Sequence, residues 1–213
     1  MTRPRKLVQG IGINDMPVGY ATGPEKHVYD RWNNLLLRVG GGKGNYFYKK
    51  RPTYRDTTIC EEWLTLSNFV VWIKSHEGWE GKTIDKDILC PGNKHYSPET
   101  CVLVSHDLNN LLCDSAARRG KYPKGVGKDG NRYRATVGGV KNRNNVGNYA
   151  TVEEAHRAAC QAKAEYIREV AENLTDADTS DIERTRAGLL KHAEIEERLW
   201  KETQGESVPT LWG

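Results

Sequence analysis

Two short apolar segments and the polar residues around them constrain the fold of this chain more than any other feature. The alternation in Thr83–Leu89 predicts a strand that carries two carboxylates, and the residues 102–105 predict a second short strand after a turn. A helix is predicted over residues 106–113, and it carries Asn109. Carboxylate and amide oxygens are typical ligands of hard divalent cations. The order strand, turn, strand, helix therefore predicts the layout of a metal site.

This layout resembles the core of the HNH (His-Me finger) endonucleases. In that family an Asp-His pair on the strand, a central Asn and a final His or Asn on the helix surround one divalent metal. In this chain those positions hold Asp85 with Lys86, then Thr100, and nine residues later Asn109. The resemblance implies an α+β fold with a ββα finger core and flanking helices. It also implies that Asp85 and Asn109 hold Mg²⁺ or Mn²⁺.

Two further motifs fit phage-type members of that family. Tyr29-x-x-Trp32 lies in a stretch, residues 27–39, whose apolar residues recur at helical spacing, and Cys60-x-x-Trp63 begins a similar stretch that ends at residue 74. With these helices included, the resemblance extends from Tyr29 to Tyr166.

The position of the family's general base is occupied by Lys86. A free lysine has a pKa of about 10.4, and the flanking carboxylates of Asp85 and Asp87 raise it further, so Lys86 suits phosphate binding better than proton abstraction. His95 in the turn and His106 at the start of the helix are alternative bases, each weighed against a role as a surface residue. Thr100 replaces the Asn that orients the base. The catalytic candidates are Asp85, Lys86, Asp87, His95, Thr100 and Asn109.

The middle of the chain is strongly basic although the whole chain carries a net charge of only +4. Between residues 115 and 143, nine cations accompany a single acid, Asp129. Such an asymmetry indicates a polyanionic partner, and a solvated loop is the alternative. Three short strands are predicted within residues 124–149, and Thr151 with Glu154 forms a capping-box pattern that begins a helix with an alanine-rich face.

This second unit resembles the ERF-type DNA-binding domain that is appended to some phage HNH nucleases. The resemblance implies a three-stranded sheet that enters the major groove of double-stranded DNA, with a helix packed behind it. The DNA-binding candidates are Arg118, Arg119, Lys124, Lys128, Arg132, Arg134, Thr136, Lys141 and Arg143.

Four regions are predicted along the chain. An N-terminal arm covers residues 1–26, the HNH-like domain 27–117, the ERF-like domain 118–173, and an acidic C-terminal helix and tail 174–213. The last helix is predicted to begin at a capping box formed by Ser180 and Glu183. Its amphipathic pattern fits docking onto the protein's own core or pairing with a second copy in a homodimer.

Composition limits the class of protein. No apolar run has the length of a membrane-spanning helix, and the N-terminus lacks the apolar stretch of a signal peptide, which predicts a cytoplasmic protein, in the host cell if phage-encoded. The 5 cysteines form no Cys-x-x-Cys pair. Buried reduced thiols are therefore favoured over a structural zinc site formed by Cys60, Cys90, Cys101 and Cys113.

Two functions follow from these patterns. The first is an HNH-like DNA endonuclease of phage or homing type that hydrolyses phosphodiester bonds with a divalent metal. The alternative is a DNA-binding protein that keeps the finger as a non-catalytic scaffold.

Overall fold

The computed structural model describes residues 6–40, 42, 46–112, 121–138 and 143–202, and these form an α+β protein, the class that the sequence predicts. The helices are α1 (Lys26–Gly40), α2 (Tyr46–Lys50), α3 (Leu66–Lys74), α4 (His106–Leu111), α5 (Val152–Glu172) and α6 (Ile182–Glu202). The strands are β1 (Thr58–Ile59), β2 (Thr83–Asp85), β3 (His95–Tyr96), β4 (Val102–Val104), β5 (Val126–Asp129), β6 (Arg132–Gly138) and β7 (Arg143–Tyr149).

The chain forms two compact units whose boundaries differ from the predicted domains. One unit contains residues 1–80 and 92–101, and the other contains residues 81–91 and 102–213. The predicted boundary between residues 117 and 118 therefore lies inside the second unit. The strands β2 and β4 and the helix α4 belong with the three-stranded sheet rather than with α1 and α3.

The core of the first unit is built by the two predicted aromatic helices. The helical spacing of α1 buries Trp32 completely, and its indole nitrogen donates to the carbonyl of Trp63 at 2.7 Å. The second predicted helix is broken, because residues 62–64 form a 3-10 turn and Thr65 is extended before α3 begins. Strands β1 and β3 pair in parallel in this unit.

The described part of the predicted N-terminal arm, from residue 6 onwards, is hydrogen-bonded to the rest of its unit. The amide of Ile13 donates to Leu64 and its carbonyl accepts from Leu66. A Cβ on Gly12 would lie 2.2 Å from the side chain of Leu36, so only glycine permits this approach to α1.

The second unit contains the predicted strand, strand, helix order. β2 and β4 are antiparallel, and Asp85 lies opposite Val102. α4 follows directly, and the Ser105 hydroxyl caps it by accepting from the amide of Leu108 at 3.2 Å. The apolar side chains of this region form one core with α5 and α6, which includes Ile88, Leu108, Ile167 and Leu189.

The sheet β5-β6-β7 packs its apolar face on α5. Ala135 is fully buried against Ala155 and Ala159, as the alanine-rich face of the helix predicts. The capping box at Thr151 and Glu154 is confirmed. The Thr151 hydroxyl accepts from the backbone amide of Glu154, and the Glu154 carboxylate accepts from the backbone amide of Thr151.

The capping box predicted for α6 is wrong. Asp181 caps this helix by accepting from the amide of Arg184 at 3.0 Å. The hydroxyl of Ser180 instead accepts from the amide of Leu103 at 3.2 Å. The side chain that the local sequence predicts as the helix cap is therefore used in a tertiary hydrogen bond.

Candidate functional site

The alternation of β6 separates its polar side chains from its apolar ones. Arg132 and Arg134 are exposed and Thr136 is half-buried, whereas Ala135 and Val137 are buried. Because successive side chains point to opposite faces of a strand, the two arginines and Thr136 lie on the face turned away from α5.

Neighbouring strands add polar residues to the same face. Residues directly opposite one another in antiparallel strands share a face, and Asp129 lies opposite Arg132 while Asn148 lies opposite Arg134. Asn145 lies opposite Thr136, after an irregularity in the β6-β7 register. We define the sheet face by these six residues: Asp129, Arg132, Arg134, Thr136, Asn145 and Asn148.

Hydrogen bonds fix the side chains of the sheet face. Arg134 Nη2 donates to Asp129 Oδ2 at 2.6 Å, and Asn148 Nδ2 donates to the same oxygen at 3.0 Å. Arg132 Nη2 donates to the carbonyl of Asn148 at 3.0 Å. The pKa of the Asp129 carboxyl is lowered mainly by the hydrogen bond from Arg134 and next by that from Asn148. The carboxylate therefore orients a guanidinium and an amide side by side.

Two of the predicted DNA-binding lysines do not lie on the sheet face. Lys128 lies opposite Tyr133, on the α5 side of the sheet, with its Nζ 4.2 Å from the centre of the Tyr133 ring. Lys124 forms an ion pair with Glu196 of α6, 2.6 Å from Nζ to Oε1. Thr136 reaches the face, but its hydroxyl donates to the carbonyl of Gly125 at 3.3 Å. Arg118, Arg119, Lys141 and the side chain of Arg143 lie outside the described residues.

Sequence reasoning missed the three remaining members of the sheet face. Asn145 and Asn148 lie in a strand without clear polar alternation, so only the pairing register assigns them to a face. Asp129 precedes Gly130, whose φ of +56° makes the tight turn between β5 and β6. The Gly130-Asn131 pair was a usable signal, because a two-residue turn that begins with glycine brings Asp129 opposite Arg132.

Asp85 is the centre of the predicted finger site. Its Oδ1 accepts the backbone amides of Asp87 and Ile88, both at 2.7 Å, so the carboxylate also shapes the turn that ends β2. Burial raises the pKa of the Asp85 carboxyl, and the bond from Ile88 acts in the opposite direction. A buried carboxylate of this kind gains from a nearby cation.

Two other ionisable groups lie beside Asp85. Lys86 is largely buried, and its Nζ is 2.6 Å from Oδ1 of Asp87. The Nε2 atom of His192, on α6, lies 2.9 Å from the carbonyl oxygen of Asp87. Burial lowers the pKa of the His192 imidazole. The hydrogen bond to Asp87 and the nearby carboxylates of Asp85 and Asp87 act in the opposite direction. His192 is distant in sequence, and no motif marked it as part of this region.

The six catalytic candidates do not all belong to one unit. Asp85, Lys86, Asp87 and Asn109 are in the second unit, and Asn109 is half-buried on α4. His95 and Thr100 are in the first unit, where the Thr100 hydroxyl donates to the carbonyl of His95 at 2.8 Å. The Nδ1 of His95 is 2.8 Å from the hydroxyl of Thr58. These two residues thus stabilise a local turn between β3 and β4.

The residues predicted to hold a metal carry oxygen donors rather than sulfur. In the described part of the chain, no three side chains of His, Cys, Asp and Glu gather as a metal-binding group. The side chains of Asp85 and Asn109 carry oxygen atoms of the kind that Mg²⁺ prefers, and Mg²⁺ commonly binds through one or two protein ligands with water completing its shell. Cys60, Cys90 and Cys101 are free thiols, and burial raises the pKa of Cys60, which disfavours the thiolate that zinc requires. Cys113 lies outside the described residues.

A buried lysine connects the end of α4 with the three-stranded sheet. Lys163 of α5 donates to the carbonyl of Leu111, at the end of α4, at 2.7 Å and to that of Gly138, at the end of β6, at 3.3 Å. Burial, together with the nearby Lys124, lowers the pKa of Lys163 to about 8. The ends of α4 and β6 therefore share one hydrogen-bonding cation.

None of the helices that the structure describes has both the length and the apolar character needed to cross a membrane. Comparison of the chain with protein-family models, with curated proteins and with solved structures gives no significant match.

Proposed function

We propose that the protein binds double-stranded DNA through the sheet face. The observation that carries this proposal is the arrangement of Arg132, Arg134 and Asn148 on one exposed surface of a sheet whose other surface is buried against α5. The major groove is about 12 Å wide and admits a β-ribbon, so a sheet can present several side chains to base edges at once.

The chemistry of these side chains suits base recognition. Arginine binds the O6 and N7 acceptors of guanine in a bidentate manner, and asparagine binds adenine through its amide. In the sheet face Arg134 and Asn148 are held side by side by Asp129. Fixing a guanidinium before binding reduces the conformational entropy that is lost when the complex forms.

Asp129 gives this surface selectivity as well as order. A carboxylate among cations weakens binding to phosphate in general, because it repels the DNA backbone. Its presence at the centre of the sheet face is therefore better suited to base recognition than to non-specific attraction. A surface that bound only phosphate would gain from its removal.

The test compares Arg132→Ala, Arg134→Ala and Lys128→Ala in the full-length chain. Binding is measured to a selected DNA sequence and to single-base variants of it. At least one arginine substitution should abolish the preference at one base pair, at a cost of about 1 to 3 kcal/mol. Lys128→Ala is the control with the same loss of charge, since Lys128 lies on the other face, and it should keep the preference. If both arginine variants bind as the parent does, the proposal is wrong.

Metal-dependent DNA cleavage is the second candidate. It is favoured by the finger order β2, β4, α4, in which the half-buried Asp85 ends the first strand and Asn109 lies on the helix. These two residues would hold the Mg²⁺ or Mn²⁺ ion, which would neutralise charge at the scissile phosphate and stabilise the leaving oxygen. The amides of Asp87 and Ile88 would keep the Asp85 carboxylate oriented. The alternative remains a finger that serves only as a scaffold for DNA binding.

A further inference from the structure

A second basic surface lies on the first unit, in α2 and the turn that follows it. Residues 46–55 contain four cations and no acid. All four cations are exposed, as is the nearby Lys94, whose Nζ donates to the carbonyl of Thr53 at 2.6 Å. We call this the aromatic basic surface, and its cations are Lys49, Lys50, Arg51 and Arg55.

Aromatic rings hold several cations of this region in place. The Nζ of Lys50 lies 4.8 Å from the centre of the Tyr46 ring. The guanidinium carbon of Arg51 lies 5.7 Å from the centre of Phe47. Arg38 of α1 lies over Tyr54 in the same way, at 5.6 Å. Each such contact is worth about 0.5 to 1 kcal/mol at an exposed site, which is enough to favour one orientation of the cation.

The cations of this surface outnumber the one acid that follows them directly in sequence, Asp56. Within the described residues, no carboxylate forms an ion pair with any of its four cations, whereas the exposed lysines Lys26 and Lys74 are paired with Asp30 and Glu25. Adjacent uncompensated cations raise the local positive potential and attract a polyanion.

We propose that the aromatic basic surface binds the phosphate backbone of double-stranded DNA. This inference rests on the proposed function for the identity of the ligand, and it adds a DNA-binding surface on the other unit. The rings of Tyr46 and Phe47 each have a cation over them, which covers one face of each ring against stacking by a base. Contacts from lysine and arginine side chains to phosphates carry no base preference.

The test measures how DNA affinity depends on salt for the full-length chain and its variants. A Lys49→Gln, Lys50→Gln, Arg51→Gln triple variant should reduce the slope of log affinity against log salt by about 2 to 3, at roughly 0.9 per phosphate contact. The preference among DNA sequences should not change. The control changes the same amount of charge elsewhere, in Lys26→Gln, Lys74→Gln, Lys191→Gln, and should leave the slope within about 0.5.

A single Arg55→Gln variant guards against misfolding of the triple variant. The hydrogen bond that the structure describes for Arg55 is through its backbone amide, so replacement of the side chain removes no described hydrogen bond. It should reduce the slope by about 0.9. An unchanged slope in both variants overturns this inference, as does a slope that falls equally in the control. If Arg132→Ala and Arg134→Ala keep the sequence preference while the salt slope falls in the triple variant, the proposed role of the sheet face is wrong and the role of the aromatic basic surface is supported. Binding of an acidic polypeptide in place of DNA would overturn the inference about the aromatic basic surface.

Discussion

The guanidinium of Arg134 bonds the carboxylate of Asp129 across two strands of the exposed sheet, with 2.6 Å between Nη2 and Oδ2. Arg134 lies opposite Gly127 rather than opposite Asp129, so the contact runs diagonally between the two strands. The same Asp129 oxygen accepts from Asn148 of the third strand. The geometry of the sheet face therefore depends on the Asp129 carboxylate.

Replacement of Asp129 by Asn should weaken selectivity and strengthen general binding. The substitution removes the charge that repels phosphate and the partner that orients Arg134 and Asn148. We expect affinity for random-sequence DNA to rise several-fold and the ratio of specific to random affinity to fall by about tenfold. Competition binding at constant salt measures both. Asp30→Asn, with the same change of charge in an exposed residue of α1, is the control and should alter neither.

A pH effect on stability is expected from two buried groups of α5. The pKa of Lys163 is lowered from 10.5 to about 8, so between these values the unfolded chain binds the proton that the folded chain has lost. Stability therefore rises with pH above about 8, with a slope of at most about 1.4 kcal/mol per pH unit. The pKa of Cys160 is raised from 9.0 to about 12 by burial, so above pH 9.0 the unfolded chain loses its proton first and stability falls.

The two effects should give a rise in unfolding free energy between pH 8 and 9, little change from pH 9 to 10.5, and a decline above that. Urea denaturation over this range measures the profile. Lys163→Met should remove the rise and leave only the decline, whatever its effect on stability at pH 7. Lys191→Met, a change at an exposed lysine, should keep the rise. A rise that persists in Lys163→Met would contradict the assignment of the effect to Lys163.

Local patterns of the sequence predicted most of the elements. The helical spacing from His27 to Val39, the three strands of the sheet and the capping box at Thr151 are all present, because each depends on neighbouring residues. The α+β class follows from them. The failure at Ser180 has the opposite cause, since its hydroxyl bonds a residue 77 positions away.

The candidate sites were only partly predictable for the same reason. The positions of Arg132 and Arg134 on one face follow from strand alternation, which a sequence contains. The position of Lys128 on the opposite face depends on the register with Tyr133, and that of His192 beside Asp87 depends on how α6 packs. The Tyr46–Arg55 segment was not recognised because its charges become a surface only when α2 and the following turn form.

Gly188 is expected to be essential for the packing of α6 on the finger. A Cβ at this position would lie 2.3 Å from the carbonyl oxygen of Ile88, a backbone atom that cannot move without displacing the turn shaped by Asp85. Gly188→Ala should lower the free energy of unfolding by about 1 to 3 kcal/mol. Gly81→Ala is the control, because nothing lies within 4 Å of its Cβ, and it should change stability by less than about 0.5 kcal/mol. Equal effects of the two substitutions would contradict this account of α6 packing.

Substitution of Asp85 by Asn separates the catalytic hypothesis from the scaffold hypothesis. The amide oxygen of Asn can accept the same two backbone amides, so the turn is retained. Because burial raises the pKa of Asp85, the folded state disfavours its charge, and removal of that charge should not lower the Tm. If the finger cleaves DNA, nicking of supercoiled plasmid with Mg²⁺ or Mn²⁺ should fall at least 100-fold in Asp85→Asn and in Asn109→Ala, while DNA affinity is unchanged. Asn110→Ala, at the exposed neighbour of Asn109 on α4, is the control and should nick as the parent does. A parent protein that binds DNA but never nicks it with either ion would leave the scaffold hypothesis standing.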